Sequence, residues 1–323
     1  MALLLILPAA AILLLAAAYG VYRVAFHSPD RKQNDDYSIN RSPQMEPLRE
    51  TVKAMIDELN AIPYERVSIR SADGLRLAGR YYHQRDGAPL GICFHGWRGT
   101  PSRDFSGGTR LYFSEGWNLL MAEQRAQCGS EGHTMTFGVR ERQDCLLWAR
   151  YAAERFGPDT EILLTGISMG AATVLMASAL ELPENVRGII ADCPFTTPRA
   201  IIGKVCGDIR IPAGAAWPLV RLGARLFGGF DPADPEADAA AAVKKARVPI
   251  LVIHGEDDRF VPCGMSRAIA ASNPALVELH TFPGAGHGLS YLVDKARYEE
   301  VAKAFCRRVL GRAPATPGEA DDR

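Results

Sequence analysis

The chain has 323 residues, enough for one large α/β domain or two small ones. Its 47% hydrophobic and 23% charged residues exclude wholesale disorder and collagen-like repeats. Lys plus Arg (37) equals Asp plus Glu (37), so the basic excess of a dedicated nucleic-acid binder is absent. The 7 cysteines are scattered and contain no C-x-x-C pair, which argues against a disulfide framework or a structural zinc site.

Residues 1–22 (MALLLILPAAAILLLAAAYGVY) carry no charged side chain. About 20 helical residues cross a bilayer, so this stretch is expected to be a single-pass membrane anchor, taken as residues 1–26. A cleaved signal would open on a basic region, which is missing, although Ala16, Ala17 and Ala18 supply small residues for cleavage. Arg23, Arg31, Lys32 and Arg41 follow the apolar run. By the positive-inside tendency, the portion that follows is expected on the cytoplasmic side.

Residues 27–61 read as a polar linker followed by an amphipathic helix. Leu48, Val52, Met55, Ile56 and Leu59 recur at helical spacing and predict a face packed on the domain that follows. That domain is expected over 62–312, with a disordered polar tail at 313–323.

The domain opens on two extended runs, 64–70 and 75–83, joined by Ser71-Ala72-Asp73-Gly74, a hairpin signal. Short continuous apolar runs then recur at 90–94, 118–122, 162–165, 188–191, 250–253 and 277–282. Helical patterns at 140–155, 171–182, 266–271 and 298–310 separate most of them. Uninterrupted apolar strands alternating with helices predict a mostly parallel sheet covered on both faces. Ligands of such sheets bind past the carboxyl ends of the strands, so the chemistry is expected just after the apolar runs.

Gly166-Ile167-Ser168-Met169-Gly170 lies between the run 162–165 and the helix pattern 171–182. This G-x-S-x-G pattern suits a tight strand-to-helix turn with the serine exposed at its point. A serine hydroxyl needs a base, and the base an orienting acid. His254-Gly255-Glu256-Asp257-Asp258 follows the run 250–253, and Gly286-His287-Gly288 follows the run 277–282. Ser168, an acid and His287 therefore occur in the required order. Asp258, Asp257 and Glu256 all compete for the acid on position alone. The oxyanion of a tetrahedral intermediate needs preorganised donors. The backbone N–H of Met169 and one from His95-Gly96-Trp97-Arg98-Gly99, taken as that of Trp97, are the expected pair. His95 is expected to be a structural hydrogen-bonder.

These motifs resemble the α/β-hydrolase superfamily over about residues 62–311. The matching stretches are His95-Gly96-Trp97, Gly166–Gly170, His254-Gly255 with Asp258 and Val261-Pro262, and Gly286-His287-Gly288. More narrowly, the chain is similar to bacterial membrane-anchored single-domain serine hydrolases related to serine aminopeptidase-like and dienelactone hydrolase-like enzymes. The resemblance implies an α/β-hydrolase fold, with a mostly parallel eight-stranded sheet, helices on both faces and a small lid insertion at about 195–246. It also implies that Asp258 is the acid. Where relatives carry R-G-H-G-x-S, this chain reads Arg125-Ala126-Gln127-Cys128-Gly129-Ser130, a departure that bears on substrate preference. The expected activity is cleavage of a carboxylic ester or thioester through an acyl-enzyme, on a small-molecule or lipid acyl substrate. No cofactor or metal is expected. An amidase or peptidase using the same triad, and an inactive membrane-anchored binding scaffold, are the alternatives.

Overall fold

The computed structural model describes residues 2–28 and 35–311; Arg31, Lys32 and the tail 313–323 lie outside them. The chain opens with helix α1 (Ala2–Ala25), then α2 (Arg49–Asn60). The antiparallel hairpin β1 (Glu65–Arg70) and β2 (Arg76–Tyr82) follows. Its turn closes through Gly74, at φ +86°, a left-handed conformation that suits glycine. Next come β3 (Leu90–Phe94), the short helices α3 (Pro101–Phe105) and α4 (Thr109–Ser114), β4 (Asn118–Ala122) and α5 (Glu141–Phe156). After them lie β5 (Ile162–Ile167), α6 (Met169–Ala177) and β6 (Val186–Asp192). The insertion between β6 and β7 holds α7 (Pro198–Asp208), α8 (Ala213–Gly223), a π-helical turn (Ala224–Gly228) and α9 (Ala239–Val243). The chain closes with β7 (Ile250–Gly255), α10 (Gly264–Ser272), β8 (Val277–Phe282), α11 (Ser290–Val293) and α12 (Lys295–Val309).

The eight strands form one sheet in the order β1-β2-β4-β3-β5-β6-β7-β8. Only β2 runs antiparallel to its neighbours; every other pairing is parallel. The strands β3, β4 and β7 are buried along their whole length, which is why they read as unbroken apolar runs. One face of the sheet packs on α5 and α6 through Trp148, Val174 and Leu175. The other packs on α2, α4 and α12 through Ile56, Tyr112 and Phe305. The mostly parallel α/β architecture expected from the resemblance is therefore present.

The helix pattern at 171–182 ends earlier than its apolar residues do. The helix stops at Ala177, and Ser178–Leu182 turn towards Pro183, which cannot continue a helix. The amphipathic face of α2 is buried as expected at Val52, Met55, Ile56 and Leu59. Among the described residues, α1 is the one helix long and apolar enough to cross a membrane, a property it shares with signal sequences. The insertion helices lie alongside α1. Gly223 of α8 abuts Ala18, and the ring of Phe227 meets those of Tyr19 and Tyr22 at 5.0 and 6.0 Å.

Candidate active site

The parallel register brings the carboxyl ends of β3, β5, β6 and β7 to one edge. Phe94 pairs with Gly166, and Ile167 with Asp192. On that edge the chain passes from β5 into α6 through Ser168, at φ 55°, ψ −115°. A serine pays steric strain at positive φ, and close packing holds it there. A Cβ on Gly166 would run into the carbonyl of Gly170, and one on Gly170 into the carbonyl of Phe94. Glycine at these two positions lets β5, α6 and the end of β3 approach closely enough to present the serine. The N–H of Ser168 donates to the carbonyl of Asp192 at 2.8 Å, fixing the turn to the next strand.

The structure brings Ser168, His287 and Asp258 together. His287 Nε2 lies 2.9 Å from Ser168 Oγ, and His287 Nδ1 lies 2.6 Å from Asp258 Oδ2. Asp258 is buried, and its Oδ1 accepts the N–H groups of Phe260 (2.9 Å) and Val261 (2.8 Å). Burial alone raises a carboxyl pKa, but hydrogen bonds from His254 and His287 and the Val261 N–H hold this one well below the ordinary range. A permanently ionised Asp258 favours the tautomer with Nδ1–H facing it, which leaves Nε2 free to accept the serine proton. Asp257 and Glu256 are exposed, and Glu256 accepts a 2.6 Å hydrogen bond from the hydroxyl of Thr281 instead. The acidic run therefore contributes one inward carboxylate.

His254 is a site residue that the motif reading did not single out. It is fully buried, with Nε2 donating to the carbonyl of Val261 at 2.8 Å and lying 3.2 Å from Asp258 Oδ2. Nδ1 meets the hydroxyl of Ser266 at 2.6 Å. Both ring nitrogens thus brace the loop that carries Asp258. The H-G-x-x-D spacing, which sets histidine and aspartate four residues apart across a tight turn, was the available signal.

The loop after β3 reaches the nucleophile. A Cβ on Gly96 would lie 3.4 Å from Ser168 Cβ. The N–H of Gly96 is taken by Asp104 Oδ2 at 2.7 Å and that of Gly99 by the carbonyl of Gly96 at 3.0 Å. The N–H groups of Trp97 and Met169 are left without an acceptor among the described residues. His95 is fully buried: Nδ1 donates to the carbonyl of Gly96 (2.9 Å), and Nε2 accepts the N–H of Gln124 (3.0 Å). Its structural role agrees with the expectation, and burial lowers its pKa.

Ser168 and His287 open into a cavity of about 510 Å³. Its walls include Trp97, Phe105, Phe260 and Leu292. Phe260 packs edge-on against His287, with centroids 5.0 Å apart, and shields the imidazole. Unexpectedly, the cavity is also walled by Ile39, Met45, Val52 and Met55, from the linker and α2. Arg103 and Arg49 tie this segment down by donating to the carbonyls of Ser38 and Ile39, both at 2.9 Å. No described residue of 195–246 lines the cavity, so the insertion is not the expected lid; Ile201, Val220 and Phe230 anchor it in the core instead, and it lies against α1. The stretch 125–130 does not line it either; Arg125 is buried in ion pairs with Asp144 and Asp73.

Two further groups lie near Ser168, His287 and Asp258. Asp192 borders the cavity, and burial raises its carboxyl to about 6; its Oδ1 has no partner among the described residues. Cys193 is buried, with a thiol pushed well up by burial, and is unsuited to act as a nucleophile. The ligand atoms of Cys193, Asp258 and His287 lie within 4.8 Å of one another, the described residues nearest to a metal-binding set. Asp258 and His287 spend those atoms on each other.

Comparison with known proteins bears on this site. The family model described as the prolyl oligopeptidase family matches residues 132–313. The chain is 24% identical over 196 residues to the uncharacterized protein YqkD of Bacillus subtilis (strain 168), a match covering 60% of this chain and 64% of that protein. It is 39% identical over 54 residues to the bifunctional esterase/perhydrolase DCH of Acinetobacter calcoaceticus, covering 17% of this chain and 20% of that one. Both matches thus span less than two thirds of the relative's length. Among solved structures, the Pyrococcus furiosus esterase PF2001 superposes with a TM-score of 0.62 at 18% identity, covering 78% of this chain and 93% of that one. The Pyrococcus horikoshii acylaminoacyl peptidase superposes with a TM-score of 0.56 at 16% identity, covering 80% of this chain and 44% of that one. At such identities the structural likeness establishes the fold. Because the family model covers more than half of the sequence, on the α/β-hydrolase fold, this chain belongs to the prolyl oligopeptidase family.

Proposed function

We propose that the protein is a membrane-anchored serine hydrolase that cleaves a carboxylic ester or thioester through an acyl-enzyme. The observation that carries this reading is the imidazole of His287 hydrogen-bonded to Ser168 on one side and Asp258 on the other. Ser168 Oγ attacks the acyl carbonyl as its proton passes to His287 Nε2. The carbonyl oxygen becomes an oxyanion held by the N–H groups of Trp97 and Met169. Asp258 stabilises the imidazolium, which then protonates the leaving alcohol or thiol as the C–O or C–S bond breaks. Water, deprotonated by His287, attacks the acyl-enzyme and restores the serine. The chain's own residues supply every proton transfer, so the scheme uses no cofactor or metal.

The apolar wall of Ile39, Met45, Val52 and Met55 suits an acyl chain, in a small molecule or a lipid. In this reading the exposed earlier turns of α1 enter the membrane while its last turns rest on the catalytic domain, and Arg23 and Arg41 favour the cytoplasmic side. The family match favours a second reading, an amidase or peptidase working through the same triad. Turnover of p-nitrophenyl acetate and labelling by a fluorophosphonate test the mechanism. Ser168→Ala is expected to abolish labelling and cut kcat by about 10⁴-fold or more. Wild-type turnover in that variant would refute the scheme. Matched ester and aminoacyl-amide substrates separate the two readings.

A further inference from the structure

Helix α1 does not merely lead into the catalytic domain; its last turns are built into it. Ala18 and Phe26 are fully buried and Tyr22 nearly so. The N–H of Met135 donates to the carbonyl of Phe26 at 2.8 Å, and that of Ser28 to the carbonyl of His133 at 2.9 Å. A helix leaves its final carbonyls without intrahelical partners. Here side chains of the loop after β3 take them. Trp97 Nε1–H donates to the carbonyl of Ala25 at 3.1 Å. The Arg98 guanidinium donates to the carbonyls of Val24 (3.0 Å) and His27 (3.2 Å). It also lies 4.4 Å from the centroid of the Trp97 ring. A cation is favoured at the negative end of a helix. Arg98 itself sits at φ 51°, a conformation that a non-glycine residue keeps only when its surroundings hold it.

The same loop is pinned from its other side, where Asp104 takes the N–H of Gly96. Trp97 lies between these two clamps and lines the cavity with Ser168. Its backbone N–H is therefore positioned by Asp104 from one direction and by the end of α1 from the other.

We propose that the C-terminal end of α1 is a positioning element of the acyl site, holding Trp97 and Arg98 so that the oxyanion donor is aligned. Displacing the helix then weakens transition-state stabilisation and spares substrate binding. The proposal rests on the triad and oxyanion assignments made above. Trp97 supplies the catalytic N–H; Arg98 and α1 act through it.

The test uses the full chain in nanodiscs, with p-nitrophenyl esters and an alkylboronic acid, which forms a tetrahedral adduct on a serine nucleophile. Arg98→Ala removes the clamp. Gly223→Ala acts from outside the cavity, because its Cβ would overlap the carbonyl of Ala18 and push α1 aside. Each is expected to lower kcat about 10- to 100-fold with KM changed less than about 3-fold, since small misalignments of this kind carry such penalties. Boronate affinity should fall by a similar factor, and Arg98→Lys should recover part of kcat. Wild-type kcat and boronate affinity in folded Arg98→Ala and Gly223→Ala would overturn the proposal, as would a raised KM with unchanged kcat. If Gly223→Ala does not fold, the pair Arg98→Ala and Arg98→Lys decides alone. Retained turnover in Ser168→Ala would instead refute the triad itself, a separate failure.

Discussion

His254 and His287 flank the same carboxylate: Asp258 Oδ2 lies 3.2 Å from Nε2 of the first and 2.6 Å from Nδ1 of the second. One imidazole is fully buried and braces the acid's loop; the other reaches the cavity and the serine. A carboxylate so supported stays charged and stays in place, which is what His287 requires if its Nε2 is to accept a proton.

Asp258→Asn should lower kcat by about 10³- to 10⁴-fold, because an amide favours the wrong tautomer of His287. Asp257→Asn, at an exposed neighbouring position, should stay within about 2-fold. Steady-state hydrolysis of p-nitrophenyl acetate by the two variants checks both expectations, and equal losses would remove Asp258 from its assigned role.

Met45 is half-buried and walls the cavity from the linker. Met45→Trp should narrow the acyl site and shift preference to shorter chains, reducing kcat/KM for long acyl esters by about 10-fold relative to acetate. An acyl-chain-length series measured on wild type and variant provides the comparison. An unchanged profile would separate this wall from substrate selection.

Asp192 makes stability depend on pH. Burial raises its carboxyl to about 6, above its ordinary value of 3.8. The folded state therefore holds this proton more tightly than the unfolded chain, and stability falls as pH rises from about 4 to about 6. Asp192→Asn removes the ionisation. Its stability relative to wild type should increase over that window, by up to about 3 kcal/mol, and level off above pH 6–7. Thermal denaturation of both proteins at pH 4, 5.5 and 7.5 gives the trend; a difference independent of pH would contradict it.

Leu13 and Leu14 are exposed on α1, in the stretch read as crossing the bilayer. The double change Leu13→Lys, Leu14→Lys adds about 2.5–3.5 kcal/mol per residue to insertion. Carbonate extraction of membranes should move most of the protein to the soluble fraction. Protease protection of the wild type in sealed vesicles reports which side the catalytic domain occupies.

Local turn chemistry marked the three residues that the fold brings together at Ser168. Gly166 and Gly170 announce a crossing too close for a Cβ, His254 and Asp258 a short loop, and Gly286 and Gly288 an accessible histidine. The central strands were equally plain, because burial on both faces leaves little room for polar residues. The acid was different: Glu256, Asp257 and Asp258 look alike as letters, and family resemblance singled out the one that the fold turns inward.

What the sequence by itself determined, then, was the set of elements and the reactive groups at their ends, since periodicity and glycine placement act over a few residues. Only the tertiary structure decided what covers the cavity and what holds its rim. The amphipathic pattern of α2 shows that Val52 and Met55 must be buried, but not that they wall the cavity beside Ser168. The apolar insertion at 195–246 needs a partner, and composition cannot say that the partner is α1. The bonds from Trp97 and Arg98 to Ala25 and Val24 join residues more than 70 positions apart. Such contacts depend on how whole elements are placed in space, which no local pattern encodes.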